Sequence, residues 1–165
     1  MRMNSEQLAH IVGLIVARLQ ARQGNTLTLS QEELRHASVM KFFLNHDALC
    51  VQQTDLCFLG ALADGDQDNT AVAHLFEALA LGMSVSITLN SRLLPCLPLK
   101  TLAKLPVTFM DEQSVTVVIH QAKVLSYRDV AGLNACWLAV SRKTVITALA
   151  RDAVISQHIR LVKQE

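Results

Sequence analysis

Thr70-Ala71-Val72-Ala73-His74-Leu75-Phe76-Glu77-Ala78-Leu79-Ala80-Leu81 runs straight into Gly82-Met83-Ser84-Val85-Ser86-Ile87-Thr88-Leu89. Asn69 or Thr70 is placed to begin a helix that continues to Leu81. Gly82 is the residue type that takes the left-handed conformation just past a helix end. Beyond it Val85, Ile87 and Leu89 alternate with polar residues at the period of a strand. A helix handing over to a strand through a glycine is the repeating step of an α/β fold.

The same alternation extends in both directions. Towards the C-terminus, Pro95 and Pro98 bracket a loop and Leu99 to Leu105 has room for a helical turn or two. Val107 to Phe109 and Val115 to Ile119 are set to pair as a hairpin across Asp111-Glu112-Gln113. Val124 to Tyr127 leads into a short helix. Trp137 to Val140 and Thr144 to Ile146 flank a turn at Ser141-Arg142-Lys143, and a helix from Ala148 to Gln157, capped by Thr147, precedes a strand from Ile159 to Val162. Towards the N-terminus, Asp64 to Asn69 is a solvated loop. Met40 to Leu44, Ala48 to Val51 and Leu56 to Leu59 read as strands or buried turns, and Ser30-Gln31-Glu32-Glu33 is a capping-box pattern that opens a helix to about Ala37, behind a β-prone Leu27 to Leu29. No internal repeat is evident. The expected fold is α/β: one layered domain with a mixed, partly parallel sheet.

From Asn4 to about Gln23 the apolar residues Leu8, Ile11, Val12, Ile15 and Leu19 recur at intervals of three and four, which sets them on one face of a helix. Glu6, Gln7, Arg18 and Gln20 occupy the opposite face. Arg22-Gln23-Gly24-Asn25 then forms a polar break. We therefore divide the chain into an N-terminal amphipathic helix, residues 1–23, and an α/β domain, residues 24–165. A terminal amphipathic helix behind such a break is suited to lie in a hydrophobic groove of another protein, so Leu8, Ile11, Val12, Ile15 and Leu19 are the candidate partner-binding residues. Its polar face has few cations and no bulky aromatic anchors, which speaks against a membrane surface.

Composition narrows the function classes. The chain has 165 residues, 51% of them hydrophobic and 18% charged, which is enough for one packed core and far from a disordered composition. A net charge of +1, one Trp and one Tyr leave neither a phosphate-binding footprint nor stacking platforms for nucleic acid. Arg2 precedes the apolar run Ile11 to Val16, but Glu6 and His10 interrupt the approach and Arg18 and Arg22 follow closely. The segment is therefore not read as a secretion signal, and the protein is expected in the cytosol. Cys50, Cys57, Cys96 and Cys136 sit singly among apolar neighbours and are read as small buried hydrophobes rather than disulfide or zinc ligands.

No motif announces catalysis. Asp64-x-Asp66-x-Asp68 begins like a calcium loop, yet Asn69 and Leu75 stand where that loop needs Gly and Glu. His10, His36, His46, His74, His120 and His158 show no paired ligand spacing. Neither a phosphate-cradling glycine loop nor a nucleophile elbow is present. No metal and no cofactor are expected. Leu59 to Asp64 with Ala78 to Val85 resembles a middle stretch of Rossmann-like flavoproteins of the cysteine-decarboxylase type. The glycine-rich turn of those proteins is missing behind Leu27-Thr28-Leu29, so that likeness implies a degenerate core without its flavin.

Three further segments carry a resemblance that spans the chain: Leu93-Leu94-Pro95-x-x-Pro98-x-Lys100-x-Leu102-Ala103-x-Leu105-Pro106, Val124-Leu125-Ser126-Tyr127-Arg128-Asp129-Val130-Ala131, and Val145-Ile146-Thr147-Ala148-x-Ala150-Arg151-Asp152-Ala153. Together with the closing Leu161 to Glu165 they resemble the PduM family of propanediol-utilization bacterial microcompartment proteins. The resemblance implies a non-enzymatic component needed for assembly or stability of the organelle, located in a microcompartment within the cytoplasm. It also implies contact with shell proteins; the reading is completed by a link between shell proteins and enclosed enzymes, with no nucleic-acid or membrane partner expected from the composition and with scope for a homo-oligomer. The terminal helix then looks like a segment that carries cargo into microcompartments. Tyr127, Arg128, Asp129, Arg151 and Asp152, two Arg-Asp pairs in matching strand-to-helix settings, form the second-choice binding surface. The rival reading is a flavin- or nucleotide-binding redox protein serving the enclosed enzymes.

Overall fold

The Gly82 step stands where the sequence places it. In the computed structural model, which describes residues 4–164, a helix over Thr70–Ala80 starts behind Asn69, whose side chain accepts from the amides of Ala71 and Val72. At its far end Gly82, at φ 78°, donates to the Leu79 carbonyl and Met83 donates to the Ala78 carbonyl, both at 3.0 Å. This paired closure satisfies carbonyls that the helix end leaves open and aims the chain into the strand Ser84–Leu89. Arg2 and Glu165, with the first three residues of the assigned N-terminal segment, lie outside the described residues.

In chain order the elements are α1 (Ser5–Arg22), β1 (Thr26–Ser30), α2 (Gln31–His36), α3 (Val39–Phe43), β2 (Ala48–Gln52), α4 (Leu56–Asp64), α5 (Thr70–Ala80) and β3 (Ser84–Leu89). A 3-10 turn over Ser91–Cys96 leads to α6 (Leu99–Leu102), β4 (Val107–Asp111), β5 (Thr116–His120), β6 (Val124–Leu125), α7 (Tyr127–Val130), β7 (Trp137–Val140), β8 (Val145–Ile146), α8 (Ala148–Ser156) and β9 (Arg160–Lys163).

Two segments differ from expectation. Met40 to Leu44 and Leu56 to Leu59, read as strands or buried turns, are helical: Met40 to Phe43 lie in α3 with Leu44 as its C-cap, and Leu56 to Leu59 lie in α4. The Asp55 carboxylate accepts from Phe58 N at 2.7 Å and caps α4, while Gly65 closes it at φ 68°. A short apolar run has no periodicity of its own to separate helix from strand, so the flanking caps decide. The same change moves a cysteine. Cys57, placed in the second position of α4, is exposed, as is Cys96 at the end of the 3-10 turn, whereas Cys50 and Cys136 are buried.

The main sheet has seven strands in the order β1-β2-β3-β4-β5-β7-β9, and β6 and β8 form a separate parallel pair. All neighbours in the main sheet are parallel except β4 and β5, which form the expected hairpin, with Phe109 opposite Val117. The first four strands follow one another in sequence order, without the reversal that makes the ligand crevice of a doubly wound sheet.

Register assigns the two faces. Leu49, Val51, Val85, Ile87, Leu89 and Phe109 share one face, where helices α2 to α6 cover them with Leu34, Phe42, Phe58, Leu62, Leu75 and Leu102. The other face of that half carries Thr28, Cys50, Ser86, Thr88 and Thr108. Beyond the hairpin the second core lies on this opposite face: Leu138 and Val140 pack with Leu125 and with Val130, Ala150 and Val154 of α7 and α8. A repeat that the sequence hides is visible here. The order strand, two-residue strand, capped helix occurs twice, as β5-β6-α7 and β7-β8-α8, and Val124-Leu125 pairs in register with Val145-Ile146.

Candidate functional site

Helix α1 begins behind Asn4, whose amide donates to Gln7 Oε1 at 3.4 Å. Glu6 in its first turn and Arg22 in its last match the helix dipole. None of its residues is buried. The five predicted contact residues lie along its length with exposures from 42% at Ile11 to 53% at Ile15. Leu14 and Val16 are exposed as well and widen the apolar surface beyond the predicted stripe. Their sequence signal was their place in the unbroken apolar run Leu14-Ile15-Val16, which a strict three-and-four spacing passes over.

The helix is fastened to the α/β body at its C-terminal end. Arg22 Nη1 donates to the carbonyls of Phe43 at 2.8 Å and His46 at 3.3 Å, and its guanidinium lies 4.1 Å from the centre of the Phe43 ring. Arg18 Nη2 donates to Asn45 Oδ1 at 3.0 Å. Gly24, at φ 80°, donates to Asp47 Oδ2 at 2.8 Å, and the Asn25 carbonyl accepts from Asp47 and Ala48. The polar break is thus a hydrogen-bonded corner. Ile15, Leu19, Phe43 and Leu44 line an apolar notch of about 180 Å³ between helix and body, rimmed by Arg18 and Arg22. Covering the five stripe residues would release on the order of 5 kcal/mol of hydrophobic free energy before the losses of association.

The second-choice residues divide between α7 and α8, whose inner faces meet in the second core. Tyr127, Arg128 and Asp129 are exposed on the first, Arg151 and Asp152 on the second. Asp129 is engaged locally: its carboxylate accepts from Ser126 Oγ at 2.7 Å and Ser126 N at 2.8 Å, and these two bonds hold its pKa below the usual carboxylate value. Among the described residues neither Arg-Asp pair closes to an ion pair. In the loop Asp64 to Asn69, Asp66 Oδ1 accepts from Asp68 N at 3.0 Å and the Asn69 side chain is taken up in capping α5. Among the described residues no three His, Cys, Asp or Glu side chains gather as a metal site, and no helix is long and apolar enough to cross a membrane.

Comparison with known proteins places this arrangement. A family described as "Putative propanediol utilisation" matches residues 10–160. The "Bacterial microcompartment assembly protein PduM" of Salmonella typhimurium is 45% identical over 163 residues, covering 99% of this chain and 100% of that protein. The protein of the same name from Citrobacter freundii is 42% identical over the same lengths. No solved structure matches the chain.

Proposed function

The chain belongs to the PduM family of propanediol-utilisation proteins, and from that membership we propose that it is a non-enzymatic assembly component of a bacterial microcompartment in the cytoplasm. In this reading α1 is its contact element, joining shell proteins to enclosed enzymes. The observation that carries it is an 18-residue helix with no buried residue, anchored at one end and presenting Leu8, Ile11, Val12, Ile15 and Leu19 to solvent. A solitary apolar helix of this length is marginal in water and gains stability by packing. A groove in a partner supplies that packing, and the rigid corner at Arg22 to Asn25 sets the angle at which the helix is offered. In the same reading Tyr127, Arg128, Asp129, Arg151 and Asp152, all exposed on α7 and α8, supply a second contact on the body.

The test compares three forms of the protein in cells that make microcompartments: full length, a deletion of residues 1–24, and full length carrying Leu8→Asp with Ile15→Asp. The organelle fraction is then assayed for each. Full-length protein is expected to co-purify with intact compartments and both altered forms to stay in the soluble fraction while remaining folded. Retention of the double variant at full level would refute α1 as the contact element and move the interface to the α/β body.

A further inference from the structure

A cleft of about 490 Å³ opens at the carboxyl ends of β5 and β7, well within the size range of small-molecule sites. The strands β5, β7 and β9 run parallel, so His120, Val140 and Lys163 end level with one another in register. The cleft lies outside the carboxyl ends of these parallel strands, formed by the turns that leave them rather than by a reversal of strand order. The turns that leave β5 and β7 hold corresponding positions in the repeated unit. Each delivers a lysine to the cleft, Lys123 from the first and Lys143 from the second. Gln164 donates to the Leu97 carbonyl and draws the start of α6 alongside, which brings Lys100 to the same space.

The cleft has charged and apolar parts. Among the described residues no carboxylate lines it, and none of the three lysines forms an ion pair. Three ammonium groups around one space repel one another until an anion enters between them. Val124 and Val145, register partners on β6 and β8 that are 50% and 63% exposed, form an apolar wall. Thr144 is buried and its hydroxyl donates to the Ala122 carbonyl at 3.4 Å, which ties the two turns together.

We propose that this cleft binds a small phosphorylated organic anion, its phosphate among Lys100, Lys123 and Lys143 and its carbon skeleton against Val124 and Val145. A phosphomonoester carries about −1.5 to −2 charges near neutral pH and three acceptor oxygens, which balances three lysines better than a single carboxylate does. The apolar wall selects an ester over free phosphate. None of the lining residues belongs to α1, so this site and the contact helix stand or fall separately.

Titration calorimetry of the full-length protein at low salt tests it, with phenyl phosphate, inorganic phosphate, benzoate and an oligoglutamate peptide as probes. Phenyl phosphate is expected to bind one-to-one and at least tenfold tighter than benzoate or inorganic phosphate. Lys123→Gln and Lys143→Gln should each weaken it about tenfold, the scale of one hydrogen bond to a charged group. Val145→Glu, which adds a carboxylate to the wall, should abolish it, and Lys41→Gln on α3 should leave it unchanged. All of these positions are exposed, and circular dichroism verifies that each variant is folded. Absence of phenyl phosphate binding, an equal loss in Lys41→Gln, or tighter binding of benzoate or the peptide would each overturn the assignment.

Discussion

Asp111 is the charged residue on which most of the local architecture converges. It is 3% exposed, with Oδ1 accepting from Gln113 N and Val115 N and Oδ2 accepting from Trp137 Nε1, all at 2.8 Å. The carboxylate therefore shapes the β4–β5 turn, where Ser114 sits at φ 64°, and also ties that turn to β7. Burial pushes its carboxyl up, but the bonds from Trp137, Val115 and Gln113, helped by the Arg160 charge, outweigh burial and hold it below the usual value of 3.8. Asp111→Ala should destabilise the protein by about 2–3 kcal/mol, because three donors lose their acceptor. A folded pKa below the unfolded one gives stability that is complete above the unfolded value and is lost as pH falls through the lower folded value. The difference between wild type and Asp111→Ala in denaturant titrations should therefore shrink as pH drops below about 3.8 and stay constant from there to neutrality. From sequence, Asp111 was legible only as a turn residue, since Trp137 lies 26 positions away.

At the scale of elements, α1 and α4 show opposite relations between pattern and burial. Helix α4 carries apolar residues nearly all round and buries Phe58, Leu59 and Leu62, as a helix without a polar face must. Its sequence reads ambiguously because nine residues give little periodicity, and the caps Asp55 and Gly65 flank it from outside the apolar run. Helix α1 has a clear stripe, yet only its C-terminal part, Ile15 and Leu19, approaches the body, at the notch with Phe43 and Leu44, and none of it is buried. Deleting residues 1–23 removes the Arg18 and Arg22 hydrogen bonds to the body but no buried side chain, and should therefore lower the unfolding free energy of the remaining body by no more than about 3 kcal/mol. Chemical denaturation followed by circular dichroism measures this, and a clearly larger loss would mean that the helix is part of the body's core.

Across the whole molecule the accessible surface is 10149 Å², against about 8,100 Å² for a compact monomer of this mass. The excess is of the size that a standard protein interface buries, and helix α1, which has no buried residue, contributes to it. The body itself is continuous. One sheet passes through both cores, with helices on one face before the β4–β5 hairpin and on the other face after it, so neither half closes its hydrophobic surface without the shared strands. We expect one cooperative transition, with Trp137 fluorescence and far-UV circular dichroism superimposing. Leu138→Ala, in the second core, should shift both probes together and lower stability by about 3 kcal/mol. Separate transitions would show that the halves unfold independently.

The amino-acid order by itself determined what is local. Caps such as Asn69, Ser30 and Thr147, the stop at Gly82 and the stripe of α1 are set by atoms a few residues apart, and the α/β class follows from their succession. The long segment matches to the PduM family are local in the same sense. Tertiary structure alone decided which strands neighbour one another, that the helices change face at the hairpin, that the stripe of α1 stays uncovered, and that Lys100, Lys123 and Lys143 share one cleft. Those outcomes depend on pairing and packing between segments far apart in the chain, which spacing along one segment does not encode.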